Sequence, residues 1–334
     1  MKSLPDSSAS HGVTFTVADF IEAGRERLEL EVAVGGEGLQ RTIGEPVMNR
    51  PGLALTGFWE NFAWRRLQLF GNAEMAYLGS IDNETRIARF IELVKHKAHI
   101  FVYTDGHRPS QDIRDAAKKA KVALLLTKLE TRVFAREATF ILERLAAPRT
   151  SIYGTMVEVC GLGVLFEGDP GLGKSETALG LIKRGLALVA DDLTCVRKDV
   201  ATNYIFGSAS ESTAGYMEIR GIGIMHVPSV FGINAVRGEK RLQLVITFKR
   251  MQDIRGEVDR IGQTRRTREI LGVQIPNIII PVSEGRDLVN LVETAAQQQK
   301  LILAGYDPVM ELSERLHRRA GAKKAGKKKG KGND

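Results

Sequence analysis

Residues 168–192, GDPGLGKSETALGLIKRGLALVADD, decide how the second half of the chain folds. The spacing G-x-x-x-x-G-K-[ST] of a phosphate-binding loop is met by Gly168, Gly173, Lys174 and Ser175. An apolar run at 164–166 predicts a strand that enters the loop. Apolar residues at helical spacing predict a helix that begins at Ser175 and ends before Gly185. A strand before the loop and a helix after it are the context that this motif requires.

The predicted loop supplies the groups that bind phosphate. It consists of Gly168, Asp169, Pro170, Gly171, Leu172, Gly173, Lys174 and Ser175. Its backbone N–H groups and the positive end of the helix stabilise an anion. Lys174 adds a charge for the β- and γ-phosphates, and the Ser175 hydroxyl can ligate Mg²⁺. The alternative is a glycine-rich turn that matches the spacing by chance, and the flanking strand and helix disfavour it.

A pair of aspartates ends the next apolar run, at 186–190. Asp191 and Asp192 are typical of the acidic strand end that holds Mg²⁺ in phosphate-loop enzymes. Asp191 follows Lys174 by only 17 residues, which argues against a motor or a GTPase switch. Neighbouring side chains of a strand point to opposite faces, so both can serve one site only if the strand ends there. We expect one aspartate to approach the metal and the other to approach the acceptor hydroxyl, although a solvated acidic turn is the alternative.

Length and composition predict a soluble protein of two domains. The 334 residues are 43% hydrophobic and 26% charged, which is ordinary for globular domains. No run of 18 or more apolar residues and no signal-peptide pattern is present, so we expect no membrane segment and a cytoplasmic location. The two cysteines lack metal-ligand spacing and suit a reducing compartment.

The formal net charge of +8 is concentrated at the C-terminus. Residues 318–334 carry eight Lys and Arg side chains and one Asp, which leaves a net charge of +1 on the rest of the chain. A tail of Lys, Gly and Ala without apolar periodicity predicts a disordered, solubilising end. Nucleic-acid binding is therefore not expected as the main function.

The pattern along the chain predicts an α/β fold with two domains. The polar residues 1–12 are expected to be disordered. Strands and helices alternate over 13–147, which predicts a small α/β domain with a largely parallel sheet. A linker-like stretch at 146–150 ends this domain. The phosphate-loop domain then occupies 148–316, and 317–334 form the basic, disordered tail.

Two further stretches carry predictions. Residues 57–71 contain five aromatic side chains, and their spacing predicts a helix whose rings belong to a core. Four arginines fall within nine residues: Arg260, Arg265, Arg266 and Arg268. Each alone is more typical of a surface ion pair, but their clustering in a chain that must neutralise phosphate favours a functional role.

The motifs GDPGLGKSETALGLIKRG, LVADD and EIRGIGI occur in the order and close spacing of the HPr kinase/phosphorylase family, which this chain resembles. NRPGLALTGF and RLQLFGNAE resemble its N-terminal domain, and VDRIG and PVSEGRDL its C-terminal catalytic elements. The resemblance covers all but the first dozen residues and the basic tail. It implies a C-terminal kinase domain similar to that of phosphoenolpyruvate carboxykinase.

The resemblance also implies an activity. Family members use ATP, and often pyrophosphate, to phosphorylate a serine of the small phosphocarrier HPr. In the reverse reaction inorganic phosphate removes that phosphoryl group and yields pyrophosphate. An HPr-like protein is thus the implied partner, with Mg²⁺ as cofactor and a homohexamer as the assembly.

The family's functional residues carry over by position. Lys174 would contact the phosphates, and Ser175 and Glu218 would hold the metal, to which we also assign Asp191. Asp192 would accept the proton in the kinase direction and donate it in the reverse direction. Arg260 would be a catalytic arginine, and residues 281–286 would form the loop linked to dephosphorylation.

One position departs from the family pattern. Members generally carry His before Gly in the strand that leads to the phosphate loop, whereas this chain has Tyr153 before Gly154. A tyrosine hydroxyl can donate a hydrogen bond but does not titrate near neutral pH, as histidine does. We still count Tyr153 as a catalytic candidate, and we expect the kinase direction to survive this replacement better than the reverse direction.

Two other functions stay open. A kinase of a small hydroxyl compound, such as free serine, could use the same scaffold. An ATP-binding sensor could instead act through its basic tail on nucleic acid or on a partner. Deletion of the residues after Leu316 separates the sensor from the kinase, because only the sensor needs the tail.

Overall fold

The computed structural model describes residues 14–254, 265–313 and 315, and the chain divides into two compact units between Pro148 and Arg149. The predicted disordered ends, 1–12 and 317–334, and Arg260 lie outside the described residues. Within the described part of the chain, no helix combines the length and the apolar character needed to span a bilayer.

The first unit is a five-stranded sheet with helices on both faces. Its strands are β1 (Glu31–Val34), β2 (Met48–Asn49), β3 (Leu67–Phe70), β4 (Ile100–Tyr103) and β5 (Ala123–Leu126). Its helices are α1 (Val17–Ala23), α2 (Gly52–Leu55), α3 (Asn72–Ser80), α4 (Asn83–Lys95), α5 (Gln111–Ala120) and α6 (Thr131–Ala146). The strand order is β1-β5-β4-β3-β2, with β2 to β5 parallel and β1 antiparallel to β5. The predicted α/β fold with a largely parallel sheet is confirmed.

Helices cover both faces of this sheet because its inner strands are apolar on both sides. Every residue of β3, β4 and β5 is buried, as is typical of parallel strands. On one face, Val102 packs with Phe134 of α6. On the other face, Phe101 and Tyr103 pack with Phe90 of α4. Each face thus has its own hydrophobic core.

The helix predicted over residues 57–71 is wrong. Residues 57–66 form turns and irregular structure, and the chain becomes a strand at Leu67. Gly57 has φ +98° and Asn61 has φ +59°, and these left-handed conformations cannot belong to a right-handed helix. The aromatic rings find partners through tertiary contacts instead, since Trp59 stacks on His96 with the ring centroids 3.9 Å apart.

The second unit combines a large sheet with a few helices. Its strands are β6 (Arg149–Tyr153), β7 (Thr155–Val159), β8 (Leu162–Glu167), β9 (Ala187–Ala190), β10 (Leu193–Asp199), β11 (Tyr204–Ser208), β12 (Tyr216–Ile219), β13 (Gly223–His226), β14 (Glu239–Arg250), β15 (Arg266–Ile270) and β16 (Val273–Val282). Its helices are α7 (Lys174–Lys183), α8 (Val227–Phe231) and α9 (Leu288–Leu303). The large sheet has the order β6-β10-β11-β14-β8-β7-β9, with β16 also on β14 and β15 on β16, and β12 and β13 form a separate ribbon.

Two long chain segments bend side by side in this unit. Only Gly154 separates β6 from β7, and only Asp191 and Asp192 separate β9 from β10. Because β6 pairs with β10 and β7 pairs with β9, both segments change direction at one place, which we call the corner. A Cβ atom on Gly154 would lie 2.6 Å from the Phe166 carbonyl oxygen, so the chain at the corner needs glycine there. The corner therefore sets the backbone at both aspartates.

Helix α7 is fixed on the sheet by a continuous apolar core. Leu181 and Ile182 of α7 pack in one cluster with Phe166 of β8 and Val292 of α9. The predicted strand and helix on either side of the loop are both present, and Gly185, with φ +87°, ends α7 as predicted. The phosphate loop is thus held between a buried strand and a buried helix.

Candidate active site

The loop between β8 and α7 has the backbone that its glycines predict. Gly168, Gly171 and Gly173 have φ of +144°, +83° and +84°, conformations that residues with a Cβ rarely adopt. A Cβ on Gly168 would also lie 2.6 Å from the Phe248 carbonyl oxygen. Gly173 is the N-cap of α7, so the N-terminus of this helix opens towards the loop. Residues 281–286 comprise the last two residues of β16 and the turn that leads to α9, whose Leu288 packs beside Gly173.

Lys174 lies folded over the loop that precedes it. Its ammonium group donates hydrogen bonds to the carbonyl oxygens of Gly168, at 2.8 Å, and Asp169, at 3.1 Å. Both acceptors are neutral carbonyls rather than carboxylates, and an anionic phosphate oxygen forms a stronger bond with an ammonium group. The side chain is therefore positioned at the loop with its charge still available to a phosphate.

Asp191 is the buried centre of the candidate site. Its carboxylate accepts hydrogen bonds from the Thr155 hydroxyl (2.8 Å), the Ser175 hydroxyl (3.0 Å) and the Glu218 backbone N–H (3.1 Å). A carboxylate offers about four lone-pair positions, so about one stays available to a metal ion or a water molecule. Asp191 thus joins the phosphate loop, the corner and the β12–β13 ribbon. Thr155 is fully buried, and sequence reasoning missed it because it stands 36 residues from Asp191.

Asp192 has a different environment from its neighbour. It is exposed and adopts a left-handed backbone conformation, with φ +62°. Its carbonyl oxygen accepts a hydrogen bond from the Gly154 N–H at 2.8 Å, which places it beside the end of β6. Tyr153, whose side chain is 79% exposed, pairs with Leu193 next to it. The corner therefore turns one aspartate inward and presents the other to solvent near Tyr153.

The donor set at this site suits Mg²⁺ whose coordination is completed by phosphate. Ser175 and Asp191 offer oxygen atoms that are already in contact, and the exposed Glu218 lies on the strand that is tied to Asp191. Among residues 14–254, 265–313 and 315, no three His, Cys, Asp or Glu side chains are grouped for a metal ion. Mg²⁺ typically takes one or two carboxylates together with substrate phosphates and waters, so such a group is not required.

Two arginines of the predicted cluster form ion pairs with carboxylates. Arg268 pairs with Glu167 at 3.3 Å, and Arg265 pairs with Asp307. These two side chains form the ion pairs that are the alternative to a functional role, and the functional role of the cluster stays a prediction. Arg220, which the sequence analysis did not single out, instead faces the loop at Gly171. Arg220 stands two residues after Glu218, in the turn that follows β12.

Comparison with known proteins accounts for nearly the whole described chain. A family model for the HPr Serine kinase N terminus matches residues 15–142, and one for the HPr Serine kinase C-terminal domain matches residues 144–316. The HPr kinase/phosphorylase of Leptospira biflexa serovar Patoc is 39% identical over 291 residues, which cover 87% of this chain and 90% of the relative. The HPr kinase/phosphorylase of Geobacter sulfurreducens is 34% identical over 306 residues, covering 92% and 95%.

A solved structure, that of the Hpr(Ser) kinase/phosphatase from Coxiella burnetii, is 33% identical and matches 50% of this chain and 98% of its own, with a TM-score of 0.45. Both family models and the full-length relatives agree with the motifs around the phosphate loop. The chain therefore belongs to the HPr kinase/phosphorylase family.

Proposed function

We propose that this protein transfers a phosphoryl group from ATP to a serine of an HPr-like phosphocarrier, and that inorganic phosphate drives the reverse reaction with release of pyrophosphate. One observation carries the proposal most strongly. Asp191 bonds Ser175 of the phosphate loop, and the exposed Asp192 follows it directly in the corner. A donor at the loop and an acceptor at Asp192 can therefore meet.

Each side chain then has a role that its surroundings support. Lys174 exchanges its bonds to the loop carbonyls for bonds to the donor phosphates, where its charge offsets the charge of the transferred group. Asp192 receives the acceptor hydroxyl and takes its proton, since its carboxylate is exposed beside Tyr153. In the reverse direction the same carboxylate returns the proton. Tyr153 donates a hydrogen bond to the incoming phosphate.

Ser175, Asp191 and Glu218 are the proposed magnesium ligands. When bound, Mg²⁺ supplies positive charge that stabilises the phosphate oxygens during transfer. We expect Asp191→Asn and Glu218→Gln each to abolish transfer with little change in fold. The affinity for Mn²⁺ in the presence of pyrophosphate, measured by electron paramagnetic resonance, tests the metal site independently of activity. Full Mn²⁺ affinity in either variant removes that residue from the metal shell.

A protein acceptor agrees with the open side of the site. Tyr153 and Ile224 are each 79% exposed, and Ile224 pairs with Glu218 across the β12–β13 ribbon. An exposed acceptor side suits a serine presented on a folded partner. A small metabolite such as free serine is the alternative, and it would need walls that exclude water.

The direct test incubates the full-length protein with ATP, Mg²⁺ and HPr from the same organism. We expect phosphoserine on HPr, identified by mass spectrometry, and none with Lys174→Ala. ATP consumption in the presence of free serine is measured in parallel. If the wild-type protein consumes ATP with free serine but leaves no phosphoserine on HPr, HPr is not the acceptor and the protein is a metabolite kinase. We also propose that the protein is cytoplasmic and forms a homohexamer. Light scattering of the purified protein measures its molar mass and so tests the hexamer.

A further inference from the structure

The first unit has a cavity of its own at the carboxyl ends of β4 and β5. Its volume is about 280 Å³. The polar side chains that line it are Glu29, Glu31, His107, Arg108, Thr127 and Lys128. Ligands of open α/β sheets bind at the carboxyl ends of the strands, and sites for small molecules begin at about 300 Å³. The cavity thus has the position of a ligand site and the size for a small metabolite.

The walls of this cavity are joined by hydrogen bonds between three chain segments. The Gly106 N–H donates to the Thr127 carbonyl oxygen at 3.1 Å. The Thr127 hydroxyl, which is buried, donates to the Leu28 carbonyl oxygen at 2.8 Å. The Arg108 guanidinium group donates two hydrogen bonds to the Glu31 carboxylate, at 2.9 Å and 3.4 Å. The segments that line the cavity are therefore fixed to one another.

Two charged side chains of the lining have no partner. Glu29 precedes β1 by two residues and Lys128 follows β5 by two, and the paired residues Glu31 and Leu126 lie between them. Opposite charges on neighbouring strands ordinarily attract. Within the part of the chain that the structure describes, however, neither side chain forms an ion pair or a hydrogen bond. Glu29 has φ +47°, so the chain leaves the extended course of β1 at this residue and Glu29 does not pair across the strands.

The balance of charge around the cavity selects the class of ligand. Glu31 and Arg108 neutralise each other, which leaves the carboxylate of Glu29 and the ammonium group of Lys128. Glu29 would repel a phosphate or a polycarboxylate. A metal ion would be repelled by Lys128, and the described residues contain no group of three His, Cys, Asp or Glu side chains that could hold one. A molecule with one ammonium and one carboxylate group instead meets an opposite charge at each end.

We propose that this cavity binds a small zwitterion, an α-amino acid, with its ammonium group on Glu29 and its carboxylate on Lys128. Both contacts are charge-assisted hydrogen bonds, which are stronger than bonds between neutral groups. Every residue of the lining belongs to the first unit, whereas the phosphate loop belongs to the second. The proposal therefore does not depend on the proposed function.

The test titrates each standard L-amino acid separately into the full-length protein and follows binding by calorimetry. We expect at least one of them to bind with a Kd of about 1 mM or below. Glu29→Gln and Lys128→Met should each weaken that binding about 10- to 100-fold, as expected for loss of a charge-assisted hydrogen bond. Lys119→Met is the matched control, because Lys119 is an exposed lysine that precedes β5 and so lies at the opposite edge of the sheet. It should bind as wild type does.

Two analogues of the amino acid that binds test the zwitterion on the wild-type protein, so their outcome does not depend on the folding of a variant. The analogue without the amino group and the analogue without the carboxyl group should each bind about 10- to 100-fold more weakly. Undiminished affinity for either analogue would overturn the proposal. So would wild-type affinity in Glu29→Gln or Lys128→Met, or a wild type that binds none of the amino acids.

Discussion

Replacing Thr155 by valine tests whether Asp191 is charged and held by its hydroxyl partners. The Thr155 hydroxyl donates to the Asp191 carboxylate at 2.8 Å, and the Thr194 hydroxyl donates to the Gly154 carbonyl at the same distance. Both threonines are fully buried. Thr194→Val is therefore a matched control that differs only in the charge of the acceptor.

The expected magnitudes follow from that difference. A hydrogen bond to a charged group contributes about 1.5–3 kcal/mol, and one between neutral groups about 0.5–1.5 kcal/mol. For a unit of this size each kcal/mol lowers the melting temperature by about 2–4 °C. We expect Thr155→Val to lower it by about 3–12 °C and Thr194→Val by about 1–6 °C.

Calorimetry of the full chain measures both losses. The transition of the second unit is identified as the one that pyrophosphate raises, because a ligand stabilises only the unit that binds it. The methyl group that each valine adds is the same, so it cancels in the comparison. If Thr155→Val costs no more than Thr194→Val, the Asp191 carboxylate does not depend on Thr155 and the geometry drawn for the site is wrong.

Two further predictions concern direction and acid stability. Tyr153→His should raise phosphate-driven pyrophosphate release from phospho-HPr by about 100-fold, the scale of one acid–base group, and equal rates would show that this position is not limiting. In the first unit, burial alone would raise the pKa of Asp105, but hydrogen bonds from Thr131 and Thr104 outweigh burial and hold that pKa below its usual value. The resulting stabilisation is complete above the unfolded pKa of about 3.9 and is lost as the pH falls through the lower folded value. The urea midpoint of this unit should therefore fall less steeply below pH 4 in Asp105→Asn than in wild type, and parallel curves would contradict this.

The local parts of the site could be predicted from the sequence, whereas its long-range contacts could not. A strand, a glycine-rich loop and a helix follow one another between Leu162 and Lys183, so their residues carry the whole signal. Thr155 reaches Asp191 only because β7 and β9 pair in a particular register. No pattern within β9 encodes that register, since all four of its residues are apolar.

The prediction of a helix over residues 57–71 was wrong because long-range contacts again decide the structure. Aromatic spacing indicated one face of a helix, but the backbone at Gly57 and Asn61 is left-handed. The rings pack against residues far along the chain, as Trp59 stacks on His96. Tertiary packing therefore overrides a local pattern wherever a glycine or an asparagine allows the chain to turn.

The corner restricts how this site can diversify in evolution. Each segment passes the corner through one or two residues, so an inserted residue would shift the strand pairing on both sides and reverse the faces of the side chains. The backbone at the corner therefore does not tolerate insertions or deletions. The side chains of Tyr153 and Asp192 lie outside and can be exchanged without moving a strand. New acceptor chemistry in such proteins should therefore arise by substitution at these two positions, while the phosphate loop stays fixed.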